Sequence, residues 1–203
     1  NILGIGISIG GIVNTKEGEL LRVEHNCKWN CIKIKKELTE KLSLLKYFDK
    51  TLLDSMIIDN DGNCAAYCEK FFGNATECEN FITIVLGTGV GIGLYINNKI
   101  IQYSEFGYLI ENKCSGKYFD SITENKELLI SQGASDLGKQ IADLCNIISP
   151  DKVIINGPLL DITVKFKEEI KNSVYENLIL NNVQLIFSTV QYQGLVGSIC
   201  KLL

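Results

Sequence analysis

Residues 57–69, IIDNDGNCAAYCE, constrain the fold more than any other part of the chain. An apolar run meets Asn60 and Asp61 directly, and the residues after them are small and spaced for a helix. A strand that passes at once into a helix, with polar residues at the joint, is a unit of α/β folds, which keep their chemistry at strand ends. Two downstream segments extend the pattern. FITIVLGTGVGIGLYINNKI (81–100) reads as a strand, a glycine-rich turn and a second strand, and SEFGYLI (104–110) carries one acid, Glu105, before a glycine.

A chain of 203 residues with this apolar content can bury one large core or two small lobes. The net charge is −4, and the basic residues are scattered or interleaved with acids, as in KIKKELTEKL (33–42), so nothing forms a nucleic-acid footprint. Apolar runs break well short of the roughly 20 residues a membrane span needs, and no basic-then-apolar leader opens the chain. A cytoplasmic protein is expected. The eight cysteines lack paired C-x-x-C spacing and read as buried free thiols.

The chain begins with Asn rather than Met, inside an expected strand (2–9), and reads as part of a longer protein. A turn at Gly10-Gly11, short strands at 12–14 and 19–25, and an amphipathic helix bearing Ile32, Ile34, Leu38 and Leu42 follow. Next come a strand at 56–59, a helix from Cys64 to a stop at Gly73, a hairpin of 81–86 with 93–98, a strand at 99–104 and a polar loop over 111–127. The remainder alternates helix (128–148), strand (151–157), helix (164–178), strand (183–190) and helix (194–203). Hairpins first and β-α-β units after predict a mixed sheet with helices on its faces.

Asp61 admits two readings. A carboxylate at a strand end can accept the proton of a substrate hydroxyl attacking phosphorus, with Asn60 and Asn63 beside it able to donate and accept to a polyol. It could equally cap the following helix. Gly87, Thr88, Gly89, Gly91 and Gly93 could bring backbone N–H groups to a phosphate, or could form only a tight, bulged turn whose glycines supply positive φ. Glu105 could take two adjacent sugar hydroxyls or be an exposed loop acid. His25, the only histidine, receives no role, and Trp29 reads as a packing residue.

In order along the chain, these segments resemble the ROK family, which groups bacterial sugar kinases with sugar-responsive transcriptional repressors. ILGIGISIGGIVNTKEGEL resembles its strand and G-x-x-x-P-G-x-V turn, with Gly10 where Pro is usual. IIDNDGNCAAYCEKFFG resembles v-x-N-D-A-N-A-A-A-x-x-E, LGTGVGIGLYINNKII resembles its second phosphate loop, and YQGLVGSI resembles the start of its C-terminal helix. The resemblance implies an α/β, actin-like (ribonuclease H-like) sugar-kinase architecture of two lobes with mixed sheets and an incomplete N-terminal lobe. Residues 1–59 would belong to that lobe, 60–190 to a sugar-binding lobe, and 191–203 to a helix returning to the first.

It further implies Asp61 as catalytic base in a kinase, a sugar site of Asn60, Asp61, Glu105, Tyr108 and Asp120, and a nucleotide phosphate loop of Gly87, Thr88, Gly89 and Gly91. Gly157 falls in the adenosine-side turn. Tyr108 stands where the family's G-E-I-G-H motif has His, and only Cys114 remains of C-x-C-G-x-x-G-C, so no bound zinc and no other metal is expected. The family's first phosphate loop, D-x-G-G-T, has no counterpart here, and Asn156-Gly157-Pro158-Leu159 replaces Gly-Gly in a manner closer to the repressors. The expectation is therefore the sugar-binding part of a ROK-type regulator, with a DNA-binding helix-turn-helix upstream and DNA reached only through it. It would be a homodimer with no membrane partner and no cofactor. The alternative is part of an ATP-dependent hexose kinase using ATP and Mg²⁺.

Overall fold

Strand β4 (Met56–Asn60) runs parallel to β1 (Ile5–Ile9), pairing Ile5 with Met56 through Ile9 with Asn60, so the first strand ends beside the polar joint. The structure is a computed structural model that describes residues 4–23, 27–105, 107–110, 113–180 and 182–202. The start of the first expected strand and His25 lie outside these residues. Between β1 and β4 come the antiparallel pair β2 (Ile12–Asn14) and β3 (Glu19–Arg22), then helices α1 (Ile34–Ser43) and α2 (Thr51–Asp54).

Helix α3 (Asp61–Phe72) follows β4 without a loop. After it, β5 (Phe81–Leu86), β6 (Val90–Ile96) and β7 (Lys99–Ile100) form a meander. Short helices α4 (Gly107–Ile110) and α5 (Gly116–Ser121) precede the long α6 (Lys126–Ile148). The chain ends with β8 (Lys152–Asn156), α7 (Phe166–Asn177), β9 (Gln184–Phe187) and α8 (Gln193–Cys200). The larger sheet has the order β7-β6-β5-β8-β9, antiparallel from β5 to β7 and parallel from β5 to β9.

FITIVL is apolar without alternation because both faces of β5 are covered. Ile82, Ile84 and Leu86 pack with Leu137 and Ile141 of α6 and Ile170 and Val174 of α7. Phe81 points the other way, into a cluster with Ala66 of α3, Tyr95 and Ile154. A third cluster joins Val13, Leu20, Met56 and Ile58 to the half-buried face of α1. Each wholly buried Ile, Leu or Phe contributes about 1.5–3 kcal/mol through its transfer from water. Helix α8 lies on both α3 and β1 at near-backbone distance: a Cβ on Gly197 would meet the Cys64 carbonyl oxygen at 1.6 Å, and one on Gly6 the Ser198 carbonyl oxygen at 2.5 Å.

Four local expectations change. Helix α3 starts three residues early, at Asp61. β6 begins at Val90, leaving a turn of only Gly87, Thr88 and Gly89. The strand expected over 99–104 stops at Ile100, and Tyr103 adopts φ 64°. The polar stretch 111–127 contains α5, because Ser115 accepts the Tyr118 N–H at 3.1 Å as its cap and Phe119 is wholly buried in the α6–α7 core. Among the described residues no helix is long and apolar enough to cross a membrane.

Candidate functional site

The β4–α3 joint settles which residue caps the helix. Asn60, extended at φ −63° and ψ 144°, accepts the N–H groups of Gly62 (2.8 Å) and Asn63 (3.2 Å) at its Oδ1. Its Nδ2 donates to the Gly11 carbonyl at 2.8 Å, tying the joint to the Gly10-Gly11 turn. Asp61 is therefore the first residue of α3 and not its cap. Its Oδ1 accepts the Gly62 N–H at 2.9 Å, and the carboxylate otherwise faces open space.

That space is a cavity of about 690 Å³ in the range of ordinary ligand sites. Asn60 and Asp61 form part of its wall, with Gly87, Thr88, Gly89 and Gly91 on one side and Glu105 and Tyr108 on another. Glycines keep the carboxylate accessible. A Cβ on Gly10 would stand 3.7 Å from Asp61 Oδ2, and one on Gly91 3.6 Å from Oδ1. Gly62 and Gly93 serve a different purpose: a Cβ on Gly93 would lie 2.3 Å from the Gly62 carbonyl oxygen, so their absence of side chains lets α3 sit directly on β6.

A second cavity of about 440 Å³ is lined by Asn156, Gly157 and Pro158 on one side and by the segment from Thr189 to Gly194 on the other. Gly157 has φ +120°, and a Cβ there would meet the Leu86 carbonyl oxygen at 2.2 Å, so both backbone and space require glycine. Asp61 and Val85 line both cavities. Although the Asp61 side chain meets solvent in the cavity, the protein around it desolvates the carboxylate and raises its pKa above the ordinary value, with the Gly62 N–H opposing.

Nine of the ten expected site residues thus line one cavity or the other. The tenth, Asp120, is exposed on α5 and lines neither. The glycine turn is not held by positive φ, since none of Gly87, Gly89, Gly91 or Gly93 adopts it. Gly87 donates its N–H to the Gly89 carbonyl at 2.9 Å, while the N–H groups of Gly116 and Lys117 reach the carbonyls of Gly87 (2.8 Å) and Thr88 (3.1 Å). The turn is thereby anchored to α5. Trp29 is half exposed and lines neither cavity.

Arg22, Val23 and the segment 189–194 line the cavities without having been expected there. Arg22 looks like any other basic residue in sequence; only the pairing of β3 with Ile12 of β2, across a register shift, brings it to the cavity. Among the described residues no cluster of three or more His, Cys, Asp or Glu side chains is placed to hold a metal ion. Cys114, the residue matching a zinc ligand in the resemblance, is wholly buried, and burial pushes its thiol up to about 12.

The mixed sheet, the helix-opening Asn-Asp pair and the paired cavities define an α/β protein with the actin-like sugar-kinase fold. The ROK family model matches residues 1–107, more than half of the chain, and the chain belongs to that family. Among curated proteins it is 26% identical to a beta-glucoside kinase of Listeria monocytogenes, over 71% of this chain and 49% of that protein. It is 33% identical to the xylose repressor of Caldicellulosiruptor bescii, over 50% of this chain and 23% of that one. The chain thus spans half or less of the length of these two relatives.

Among solved structures it resembles a ROK family glucokinase from Streptomyces griseus in complex with glucose and AMPPNP. The TM-score is 0.80, at 21% identity over 98% of this chain and 80% of that one. It also resembles a ROK family transcriptional regulator, a homologue of the E. coli MLC protein. There the TM-score is 0.75, at 17% identity over 98% of this chain and 62% of that one. Relatives of both kinds, kinases and repressors, are therefore present.

Proposed function

We propose that this chain carries the sugar site of a ROK protein and that, within the whole protein, the site supports ATP-dependent phosphorylation of a sugar hydroxyl. One observation carries the reading: Asp61 is released from capping by Asn60 and lines both cavities. In this reading the sugar occupies the larger cavity, with Asn60 and Glu105 contacting its hydroxyls and Tyr108 flanking it. Asp61 accepts the hydroxyl proton as the oxygen bonds to the γ-phosphorus and the bond to the departing ADP oxygen breaks. The raised pKa of Asp61 makes it the stronger base.

ATP fits as a substrate with its adenosine side in the second cavity and its phosphates toward the glycine turn at 87–91 of the larger one. The Gly157 turn lines the second cavity with backbone packed against the Leu86 carbonyl, and Asp61 lines both cavities. Mg²⁺, which neutralises charge on the transferring phosphates, binds through one or two carboxylates and the phosphates themselves, and Asp61 and Glu105 are the carboxylates lining the larger cavity that could face it. Residues 1–59 and 191–203 form one lobe and 60–190 the other in this reading, in a cytoplasmic homodimer.

A second reading, the effector-binding part of a regulator, draws support from Pro158, which leaves the adenosine-side turn without one backbone donor. Calorimetry with hexoses, pentoses, N-acetylhexosamines and β-glucosides, each followed by incubation with ATP and Mg²⁺, separates the two. Binding with formation of a sugar phosphate, lost in Asp61→Asn, is expected. Binding without turnover makes the regulator the better reading, and failure to bind any sugar sinks both.

A further inference from the structure

Asp59 is wholly buried, one residue before the Asn60 cap and two before Asp61. Its Oδ1 accepts the Asn60 N–H (2.7 Å), the Asn63 Nδ2 (2.9 Å) and the Thr15 hydroxyl (3.0 Å). The Thr15 hydroxyl also lies 2.9 Å from Gln102 Oε1, so Asp59 and Gln102 share its single proton as acceptors. Oδ2 is ion-paired with Lys201, just beyond the end of α8, whose side chain is only 13% exposed and whose ammonium lies 4.9 Å from the centre of the Tyr67 ring.

Desolvating two charges is costly, and a well-packed apolar pair of similar volume often stabilises a fold as well or better. An apolar pair could not, however, hold the Asn60 amide and the Asn63 side chain. Asn63 Oδ1 is buried without a hydrogen-bond partner among the described residues, so the contact with Asp59 is what orients that amide. The same α8 that carries Lys201 near its end has Gly194 lining the second cavity at its start.

We propose that Asp59, ion-paired with Lys201, is the positioning residue of this site: it fixes the Asn60 cap and the first turn of α3, and so the direction in which Asp61 meets the ligand. Asp59 lines neither cavity and acts through its neighbours. The proposal rests on the reading of Asp61 as the group that serves the sugar hydroxyl.

The test compares the wild type with Asp59→Val/Lys201→Met, which removes both charges together, and Asp59→Asn/Lys201→Met, which keeps an acceptor at the position of Oδ1. Thermal unfolding, amide hydrogen exchange at Asn60, Gly62 and Asn63, and kcat and KM for sugar phosphorylation are measured on each. The valine variant is expected to unfold cooperatively, lose protection at those three amides and lose about tenfold or more in kcat through misplacement of the carboxylate. The asparagine variant is expected to recover both. Unchanged protection and kcat in the valine variant, or equal losses in the asparagine variant, would overturn the proposal.

If neither double variant folds, Thr15→Val removes one donor to Asp59 at a half-buried turn, and unaltered exchange at Asn60 there overturns the proposal as well. A wild type that turns over no sugar sinks the proposed function, whereas the exchange data still decide whether Asp59 positions the turn.

Discussion

At the β4–α3 joint one carboxamide and two carboxylates divide the work. Asn60 satisfies the orphan N–H groups of α3, Asp59 is saturated by buried donors, and Asp61 is left facing the cavities. Its raised pKa has a consequence for stability. A carboxyl that titrates at higher pH folded than unfolded binds more protons in the folded state between the two values. Its contribution is therefore full below the unfolded value, about pH 4, and declines as pH rises through the folded one. Asp61→Asn should accordingly unfold at higher urea than the wild type at neutral pH, the difference closing in acid, while sugar phosphorylation under the proposed function should fall about 100-fold or more. Equal midpoints at both pH values would show that the carboxylate is not desolvated. Burial likewise pushes the Cys64 thiol up to about 12, so this cysteine behaves as a small apolar residue.

At the scale of elements, α3 is the part on which the site depends. It starts from a cap supplied by the preceding strand, lies on β6 through the Gly62–Gly93 contact, and carries Glu69 in its last turn. That buried carboxylate accepts the N–H (2.7 Å) and Nδ2 (2.9 Å) of Asn74, and is also bonded to Ser188 and Gln193. It thus joins α3 to the end of β9 and the start of α8. Asn60→Ala removes the cap and should cost about 1 kcal/mol in urea unfolding, with the Gly11 carbonyl losing its donor as well. Asn60→Ser or Asp, either of which keeps an oxygen at the cap, should recover most of that stability. A loss shared equally by all three variants would assign the effect to the Gly11 contact instead.

On the scale of the molecule, α8 closes the structure by lying against β1 and α3, elements drawn from the first third of the chain. Its packing tolerates nothing at Gly197. Gly197→Ala should cost about 3 kcal/mol by overpacking, with hydrogen exchange quickening first along α8 and α3. A variant as stable as the wild type would mean that the helices can separate without penalty.

Much of this was legible in order along the chain. The β5–β6 pair, the long α6 and the β8-α7-β9 run follow from apolar periodicity and turn residues, because these depend on neighbours close in sequence. Asn60, Asp61 and the glycine turn stood out only through the ordered resemblance, since each alone also reads as a cap or a tight turn. The short α5 did not, since its anchor, Phe119, is set in polar surroundings and takes its value from the distant helices it packs on. Nor could sequence separate the roles of Asp59, Asn60 and Asp61, three adjacent polar residues of similar size. Which one buries against Lys201, which caps α3 and which faces the cavities depends on strand pleat, helix phase and a partner 142 residues away. Local chemistry determined where the site lies; tertiary packing decided which carboxylate was left to act.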